Sequence, residues 1–265
     1  MDLELTGKVA LITGASRGIG KAVAMVLAEE GADLALCARE PRALEAAAAE
    51  IAQKTGRRAL AFPADVRDRA AVDRLIEDVV AAFSRLDILV NNAGMPGGLA
   101  FGPLERVQDE VVLEDLDTKY MGALRCARAA LPQMKRQGWG RIVNIGGTSG
   151  RYASNYSGGV RNVSLVHFTR MLAHEVGREG ITVNVVHPGA TRTERIDPLV
   201  EERARRKGLT LEAWRERMLE DMAIGRMVDA REFAWVVAFV ASPRACSITG
   251  EVIAASGGTG RAIFT

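Results

Sequence analysis

The chain has 265 residues, of which 48% are hydrophobic and 26% charged, and its formal net charge is +2. This composition predicts one globular domain over residues 1–265, and the near-neutral charge gives no reason to expect binding to nucleic acid or to a membrane. Apolar runs fall short of the roughly 18 residues that span a membrane. The polar start MDLELTGK does not resemble a signal peptide, so we expect a cytoplasmic protein.

The cysteines and histidines give no indication of a metal site. Cys37, Cys126 and Cys246 are scattered and odd in number, so we expect reduced thiols that act as small buried hydrophobic residues. Two of the three histidines lie seven residues apart on one predicted helix, a spacing more typical of packing or surface positions than of ligands. We therefore expect no metal.

Apolar runs and amphipathic segments alternate along the chain. The predicted strands are residues 8–13, 33–38, 59–62, 87–90, 140–145, 182–186 and 251–255. The predicted helices are residues 21–30, 42–54, 68–83, 116–137 and 162–178. This alternation predicts an α/β fold with a doubly wound parallel sheet of about seven strands and helices on both faces.

The segment 195–222 interrupts the alternation. It is strongly charged (EERARRK, WRERMLED) and carries apolar residues at helical spacing. It follows the carboxyl end of a strand, which is the edge where ligands bind in open α/β sheets. We predict a helical lid over the substrate; the alternative is a solvated surface excursion.

A glycine-rich turn, TGASRGIG at 13–20, joins the first predicted strand to the first helix. Gly14 would allow the tight turn, Gly18 would let the backbone approach a ligand, and Gly20 would let helix and strand pack closely. The backbone N–H groups and the helix N-terminus suit a pyrophosphate. A loop that merely turns is the alternative, but three glycines at this spacing favour a dinucleotide site of a Rossmann fold.

Six motifs in order resemble those of the short-chain dehydrogenase/reductase family over nearly the whole chain. They are TGASRGIG, Asp65-Val66, Asn91-Asn92-Ala93-Gly94, GRIVNI at 140–145, GITVNVVHPG at 180–189 with Thr193, and ITGEVIAASGG at 248–258. The resemblance implies a nicotinamide dinucleotide with its adenine beside residues 65–66, a ribose near residues 92–94, and its carboxamide and phosphates on loop 188–193. The implied cofactor residues are Gly14, Ser16, Arg17, Gly18, Ile19, Gly20, Asp65, Val66, Asn92, Ala93, Gly94, Pro188, Gly189, Thr191 and Thr193.

The end of the second strand distinguishes between NAD and NADP. NAD-binding proteins usually carry an acid there, which accepts a hydrogen bond from the ribose 2′-hydroxyl, but this strand ends Cys37-Ala38-Arg39. Arg17 of the glycine turn would reach the same phosphate, and two guanidinium groups suit a dianion. The sequence therefore predicts NADP, with Arg39 as a further cofactor residue; the alternative is that both arginines lie in solvent.

The resemblance also implies a catalytic Asn, Ser, Tyr and Lys, and none of the four stands at its expected position. Counting from the GRIVNI and GITVNVVHPG motifs, those positions fall on Lys119, Gly147, Gly158 and Asn162. Tyr156 lies two residues early, which is a rotation of about 200° on a helix. A local insertion that realigns Tyr156 is the alternative, but no lysine follows it at the family's spacing.

Three residues are candidates to replace the missing groups. Lys119 would bring an amine that binds ribose or acts as an acid, Tyr156 would be a proton donor on the loop before the helix, and Arg161 would stabilise an oxyanion or an anionic substrate. Tyr152 is a second candidate donor, and Thr148 or Ser149 would replace the hydroxyl. For Lys119 and Arg161 the alternative is an ordinary surface position.

The sequence thus predicts an atypical oxidoreductase that transfers hydride between NADP and a small organic substrate. A catalytically inactive NADP-binding sensor or partner subunit is the alternative. A cofactor-free lyase on this scaffold is disfavoured because the pyrophosphate loop is complete and no arginine follows a tyrosine by four residues. The resemblance further implies a homotetramer, or a homodimer, paired through helices 116–137 and 158–178, with apolar faces at Leu124, Ala127, Leu131, Leu165, Phe168 and Leu172.

Overall fold

The structure is a computed structural model that describes residues 1–153, 155–194, 200–201, 204–205 and 207–260. Within them a parallel sheet runs in the order β3-β2-β1-β4-β5-β6-β9, and β7 pairs with β8 in a separate two-stranded ladder. The strands are β1 Val9–Thr13, β2 Asp33–Ala38, β3 Ala59–Pro63, β4 Ile88–Asn91, β5 Gly140–Ile145, β6 Ile181–Pro188, β7 Thr191–Arg192, β8 Val228–Asp229 and β9 Val252–Ala255. The predicted doubly wound sheet of seven strands is confirmed.

Helices connect these strands and cover both faces of the sheet. They are α1 Gly18–Glu29, α2 Pro41–Thr55, α3 Arg69–Phe83, α4 Asp109–Leu116, α5 Gly122–Gln137, α6 Tyr156–Val176, α7 Leu211–Glu220 and α8 Ala230–Val240, with a π-helical turn, Asp117–Met121, between α4 and α5. Of the predicted lid 195–222, residues 211–220 form α7, whereas residues 195–199, 202–203 and 206 lie outside the described part.

Three helices of the structure differ from what the sequence predicts. The helix predicted at 116–137 begins seven residues earlier with α4 and passes through the π-turn. The helix predicted from 162 begins at Tyr156, because the side chain of Asn155 accepts the Gly158 N–H at 2.6 Å and caps it. Helix α8 was not predicted; Asp229 and Glu232 form a capping box at its start.

Alternate residues of β1 point into two hydrophobic cores. Ala10 and Ile12 pack toward the helices α1, α2 and α8, while Val9 and Leu11 pack toward α3, α5 and α6. Burial of both faces explains why these strands read as continuous apolar runs. The thiols of Cys37 and Cys126 are buried in the second core as predicted, but Cys246 is exposed, which corrects the prediction for that residue.

The strand order reverses between β1 and β4, and this reversal positions the site. From β1 the chain runs outward to β2 and β3, and from β4 it runs the other way. The loops that follow the two strands therefore separate at the carboxyl edge and leave a crevice, which is where open α/β sheets bind ligands. In the described part of the chain, no helix is long and apolar enough to cross a membrane, and no cluster of side chains suits a metal ion.

Candidate nucleotide-binding and active site

Two glycines of the turn after β1, Gly14 and Gly20, are packed too closely for a side chain. Gly14 and Gly18 have φ angles of +65° and +62°, in the left-handed region that favours glycine. A Cβ at Gly20 would overlap the carbonyl oxygen of Gly14, and a Cβ at Gly14 would lie 2.9 Å from Nδ2 of Asn92. The turn thus brings helix α1 directly against the end of the strand.

Asn92 ties the loop after β4 to the glycine turn. Its Nδ2 donates to the carbonyl oxygens of Thr13 and Gly14 at 3.0 and 3.1 Å. The Thr13 hydroxyl oxygen in turn accepts the backbone N–H groups of Asn92 and Ala93. Both side chains therefore hold the two sides of the crevice together, and the Asn92 amide supports the turn.

The N-terminus of α1 already holds an anion. The backbone N–H of Gly18 donates to a carboxylate oxygen of Glu194 at 2.6 Å. This carboxylate stands in for a phosphate oxygen, because it occupies a helix N-terminus of the kind that binds phosphates. The residues of the turn therefore fit a dinucleotide whose pyrophosphate would replace Glu194.

The adenine side of the predicted site carries no acid at the end of β2. Arg39 and Arg17 are both exposed there. Asp65, after β3, is paired with Arg67 at 2.7 Å, and that hydrogen bond lowers the pKa of Asp65, with a smaller contribution from the charge of Arg39. The neighbouring Val66 is buried.

The other predicted cofactor residues lie in the loops at the same edge. Thr191 is buried and its hydroxyl donates to the carbonyl oxygen of Gly189 at 3.2 Å, so it shapes its own loop. A groove of about 760 Å³ separates this loop from α7 and includes Thr193 and Glu194 in its lining. Ser16 and Ile19 belong to the glycine turn, Gly94 to the loop after β4, and Pro188 ends β6.

Lys119 lies on the π-helical turn and its side chain is buried. Its Nζ donates to the carbonyl oxygen of Gly146 at 2.8 Å, and only 9% of the residue is exposed. A Cβ on Gly94 would lie 3.3 Å from Cδ of Lys119, so the lysine lies along the loop assigned to the cofactor. Burial, followed by the charge of Arg161, holds the pKa of Lys119 well below its ordinary value.

His187, at the end of β6, is a site residue that the sequence did not single out. Its Nδ1 accepts the backbone N–H of Gly147 at 2.8 Å, so the neutral ring carries its hydrogen on Nε2. Burial, with the charges of Arg151 and Lys119, lowers the pKa of His187 to about 4. The available signal was its place in the HPG motif at a strand's carboxyl end.

The residues at positions 147, 158 and 162 pack directly against one another or their neighbours. Asn162 donates from Nδ2 to the Ser149 hydroxyl and to the Gly158 carbonyl, both at 2.8 Å. A Cβ at Gly147 would lie 2.8 Å from that Nδ2. A Cβ at Gly158 would lie 2.8 Å from the Asn155 side chain. Neither glycine has room for a larger residue in this arrangement.

Arg161 is neither a surface residue nor an open anion site. It is 2% exposed and its Nη1 donates to Oδ1 of Asp115, a fully buried carboxylate on α4. Its Nη2 donates to the backbone oxygen of Met95 at 2.7 Å. The surface alternative for Arg161 is therefore wrong. The two bonds use two of its five N–H donors, and its buried Nε has no hydrogen-bond partner among the described residues.

The two candidate tyrosines border the same edge of the sheet. Tyr156 is the first residue of α6, not part of the preceding loop, and about half of it is exposed. Tyr152 is similarly exposed, and its hydroxyl forms a 3.1 Å hydrogen bond with that of Thr148. Neither is held in a buried catalytic position by the described residues.

Known proteins resemble this chain over almost its whole length. The family model described as enoyl-(acyl carrier protein) reductase matches residues 14–260. The 3-oxoacyl-acyl-carrier-protein reductase FabG of Vibrio cholerae is 35% identical over 260 residues, which are 97% of this chain and 98% of that protein. L-Sorbose reductase from Gluconobacter frateurii, solved with NADPH and L-sorbose, has a TM-score of 0.92 and 31% identity over 99% of this chain and 100% of its own. NAD⁺-bound xylitol dehydrogenase has a TM-score of 0.90 and 30% identity over 96% and 100%.

Replacing Arg161 is expected to destabilise the fold. Arg161→Ala would leave the Asp115 carboxylate buried without its cation, which costs about 3–5 kcal/mol in the free energy of unfolding. Arg170→Ala on the same helix is the control, because its ion pair with Glu251 is exposed and worth at most about 1 kcal/mol. Urea denaturation compares the two, and equal losses would contradict a buried role for Arg161.

Removing the charge of Glu194 is expected to tighten dinucleotide binding. Glu194→Gln weakens the contact with the Gly18 N–H that a pyrophosphate must displace, and a charge at a helix N-terminus is worth about 0.3–1 kcal/mol. The dissociation constant of NADPH, measured by calorimetry, should fall by roughly two- to fivefold. Glu212→Gln on α7 removes an equal charge away from the turn and should leave the constant unchanged; identical behaviour of both variants would disprove the competition.

Proposed function

The chain belongs to the short-chain dehydrogenase/reductase family of oxidoreductases, and we propose that it is an atypical NADP-dependent member that acts on a small organic substrate. The observation that carries the proposal is the buried amine of Lys119, held between the Gly146 carbonyl and the loop at Gly94. It provides a titratable group at the cofactor site, whereas the positions expected for the usual Asn, Ser, Tyr and Lys hold Lys119, Gly147, Gly158 and Asn162.

The choice of NADP rests on this chain's own charges. The relatives support it, because L-sorbose reductase and actinorhodin polyketide ketoreductase were solved with NADPH and YwfH is an NADPH-dependent reductase, although xylitol dehydrogenase holds NAD⁺. Arg39 stands where an acid would favour the 2′-hydroxyl of NAD, and Arg17 lies exposed in the glycine turn. Two guanidinium groups favour the dianionic 2′-phosphate of NADP.

In the proposed reaction, NADPH would supply a hydride to the carbonyl carbon of the substrate. The Lys119 ammonium gives its proton to the carbonyl oxygen, and in the reverse direction the neutral amine takes that proton back. A lowered pKa suits this role, because an acid works best when its pKa lies near the working pH. His187 stays neutral and fixes the Gly147 backbone.

The other catalytic candidates have smaller roles in this proposal. Tyr152 and Tyr156 are about half exposed, before and at the start of α6, and in this proposal their phenols would contact substrate. Arg161 acts through its charge, which helps to lower the pKa of Lys119, while its hydrogen bonds hold the loop at Met95. We propose that the helical lid 195–222, which includes α7, borders the substrate.

A second candidate is a catalytically inactive NADP-binding protein that serves as a sensor or partner subunit. The observation that favours it is the close packing at Gly158, where even a Cβ would lie 2.8 Å from the Asn155 side chain and 3.0 Å from the Gly97 carbonyl oxygen. A panel of carbonyl compounds with NADPH, run beside a binding titration, distinguishes the two. Reduction that depends on Lys119 supports the enzyme, and tight NADPH binding without any reduction supports the inactive protein.

We also propose a homotetramer or homodimer, in line with the family resemblance. Helix α6 exposes the large apolar residues Val160, Val163 and Met171, and α8 exposes Trp235 and Phe239. Leu124, Leu131 and Phe168 are partly buried within the subunit, whereas Ala127, Leu165 and Leu172 are fully within its core. The exposed apolar side chains that an interface between subunits would cover therefore lie at positions of α6 and α8 other than those that the sequence predicted.

NADPH is expected to bind at least tenfold more tightly than NADH, a margin of about 1.4 kcal/mol. The margin comes from the 2′-phosphate, so Arg39→Ala should remove most of it while leaving NADH binding unchanged. Arg42→Ala, on the helix that follows, is a control for a general loss of positive charge. Calorimetric titration of both cofactors makes the comparison, and equal affinities in the native protein would refute the assignment.

Lys119→Met is expected to lower the rate of any carbonyl reduction by about 10²–10⁴-fold, because the proton donor is lost. The native rate should fall as the pH rises through the pKa of Lys119, since the ammonium is the donor, and the variant should lack this fall. The free energy of unfolding should rise in the variant because a buried amine is replaced by an apolar chain. Lys135→Met, at an exposed lysine, is the control; equal rates in both variants would exclude Lys119 as the acid.

A further inference from the structure

Arg125, on the second turn of α5, joins two parts of the site that are far apart in the chain. Its Nη1 donates to the backbone oxygens of Val66 and Asp117 at 3.3 and 3.4 Å, and its Nη2 donates to Oδ1 of Asp117 at 2.7 Å. The side chain is only 15% exposed. One guanidinium group thus contacts both the loop assigned to adenine and the first residue of the π-helical turn.

The first residue of α5, which follows the π-turn, also packs directly against the adenine loop. A Cβ at Gly122, the residue after the turn, would lie 2.8 Å from Cγ2 of Val66. The Asp117 carbonyl accepts the Gly122 N–H across five residues, which is the hydrogen bond of a π-helix, and also accepts the Arg125 N–H. Arg125 therefore stabilises the turn at the place where the turn meets Val66.

The orientation of Lys119 depends on this turn. Lys119 lies at its centre, and one residue of register is about 100° of rotation on a helix. If the π-turn relaxed to ordinary α-helix, the amine would leave the Gly146 carbonyl. The contacts that stabilise the turn therefore also set the position of the amine.

We propose that Arg125 is a positioning residue that couples occupation of the adenine site to the placement of the Lys119 amine. The proposal rests on the proposed function, from which it takes adenine beside Val66 and the role of Lys119. Adenine that packs on Val66 would hold the loop against Gly122, and Arg125 transmits this restraint to Asp117. Arg67, beside Val66, forms a neighbouring link to Glu114 on α4 at 3.2 Å. This link is more exposed and reaches no backbone of the π-turn, so it provides a control.

The test follows Lys119 by NMR and needs no substrate. The chain has six lysines, Lys8, Lys21, Lys54, Lys119, Lys135 and Lys207, so protein labelled with ε-¹³C lysine gives few signals, and Lys119→Arg identifies the one of interest. The probe is adenosine 2′,5′-bisphosphate, which carries the adenine end of NADP without its nicotinamide. We expect the probe to shift the Lys119 resonance in the native protein and in Glu114→Gln, but not in Arg125→Gln.

The same titrations give the affinity of the probe. If the two sites are coupled, a variant that lacks the Arg125 link binds the probe more weakly. We expect the affinity to fall by about fivefold or more in Arg125→Gln and by less than twofold in Glu114→Gln. Asp117→Asn is a second variant of the link, which keeps the test decisive should Arg125→Gln fail to fold. It should reduce the Lys119 shift, because the charged contact with Arg125 is lost.

The outcomes separate the two proposals. A probe that binds the native protein and shifts Lys119 equally in all variants overturns the role of Arg125 and leaves the proposed function intact. A probe that binds without shifting Lys119 in the native protein also overturns it. A probe that fails to bind the native protein contradicts the NADP site itself, and the coupling with it.

Discussion

Two cationic side chains and one carboxylate are buried together behind the carboxyl edge of the sheet, and this arrangement determines the chemistry of the site. Arg161 and Asp115 neutralise each other, whereas Lys119 has a carbonyl oxygen as its hydrogen-bond acceptor. A second full positive charge in this interior is costly, so the pKa of Lys119 lies well below its ordinary value. The region around Lys119 therefore combines the Arg161–Asp115 ion pair, a readily deprotonated amine and the neutral ring of His187.

Glycines make this arrangement sterically compatible with the fold. A Cβ at Gly146 would overlap the His187 ring, one at Gly147 would press on the Asn162 amide, and one at Gly98 would lie 2.9 Å from the backbone of Gly158. The two loops and the start of α6 thus approach each other through backbone. A hydroxyl or a phenol at positions 147 and 158 would require the Asn162 side chain or the loop at Gly98 to move.

The fold and the cofactor loops were accessible from the sequence because their signals are local. The strands of the seven-stranded sheet are apolar runs of four to eight residues, and the glycine turn has a fixed spacing between a strand and a helix. The burial of Arg161 was not accessible, because its partner Asp115 lies 46 residues away on α4, a helix that the sequence pattern placed too late. The π-turn at Lys119 adjoins contacts of Gly122 and Arg125 with Val66, and no local pattern records contacts between residues so far apart in the chain. The HPG motif marked the position of His187, but not its role, which depends on the hydrogen bond with Gly147, 40 residues away in the chain.

The site also carries a cost in stability that depends on pH. Between the lowered pKa of Lys119 and its ordinary value of 10.5, the unfolded chain binds a proton that the folded chain does not, so folding becomes more favourable as the pH rises. His187 adds the same dependence between about pH 4 and 6.5. Apolar residues at positions 119 and 187 would avoid this cost, because they carry no titratable group. Buried titratable groups with strongly shifted pKa values cluster at functional sites, because the same desolvation that weakens the fold prepares a proton donor or acceptor. The two residues with this unfavourable burial are Lys119 and His187, which form hydrogen bonds with the backbone of Gly146 and Gly147. They lie at the carboxyl edge of the sheet, as the loops assigned to the cofactor do.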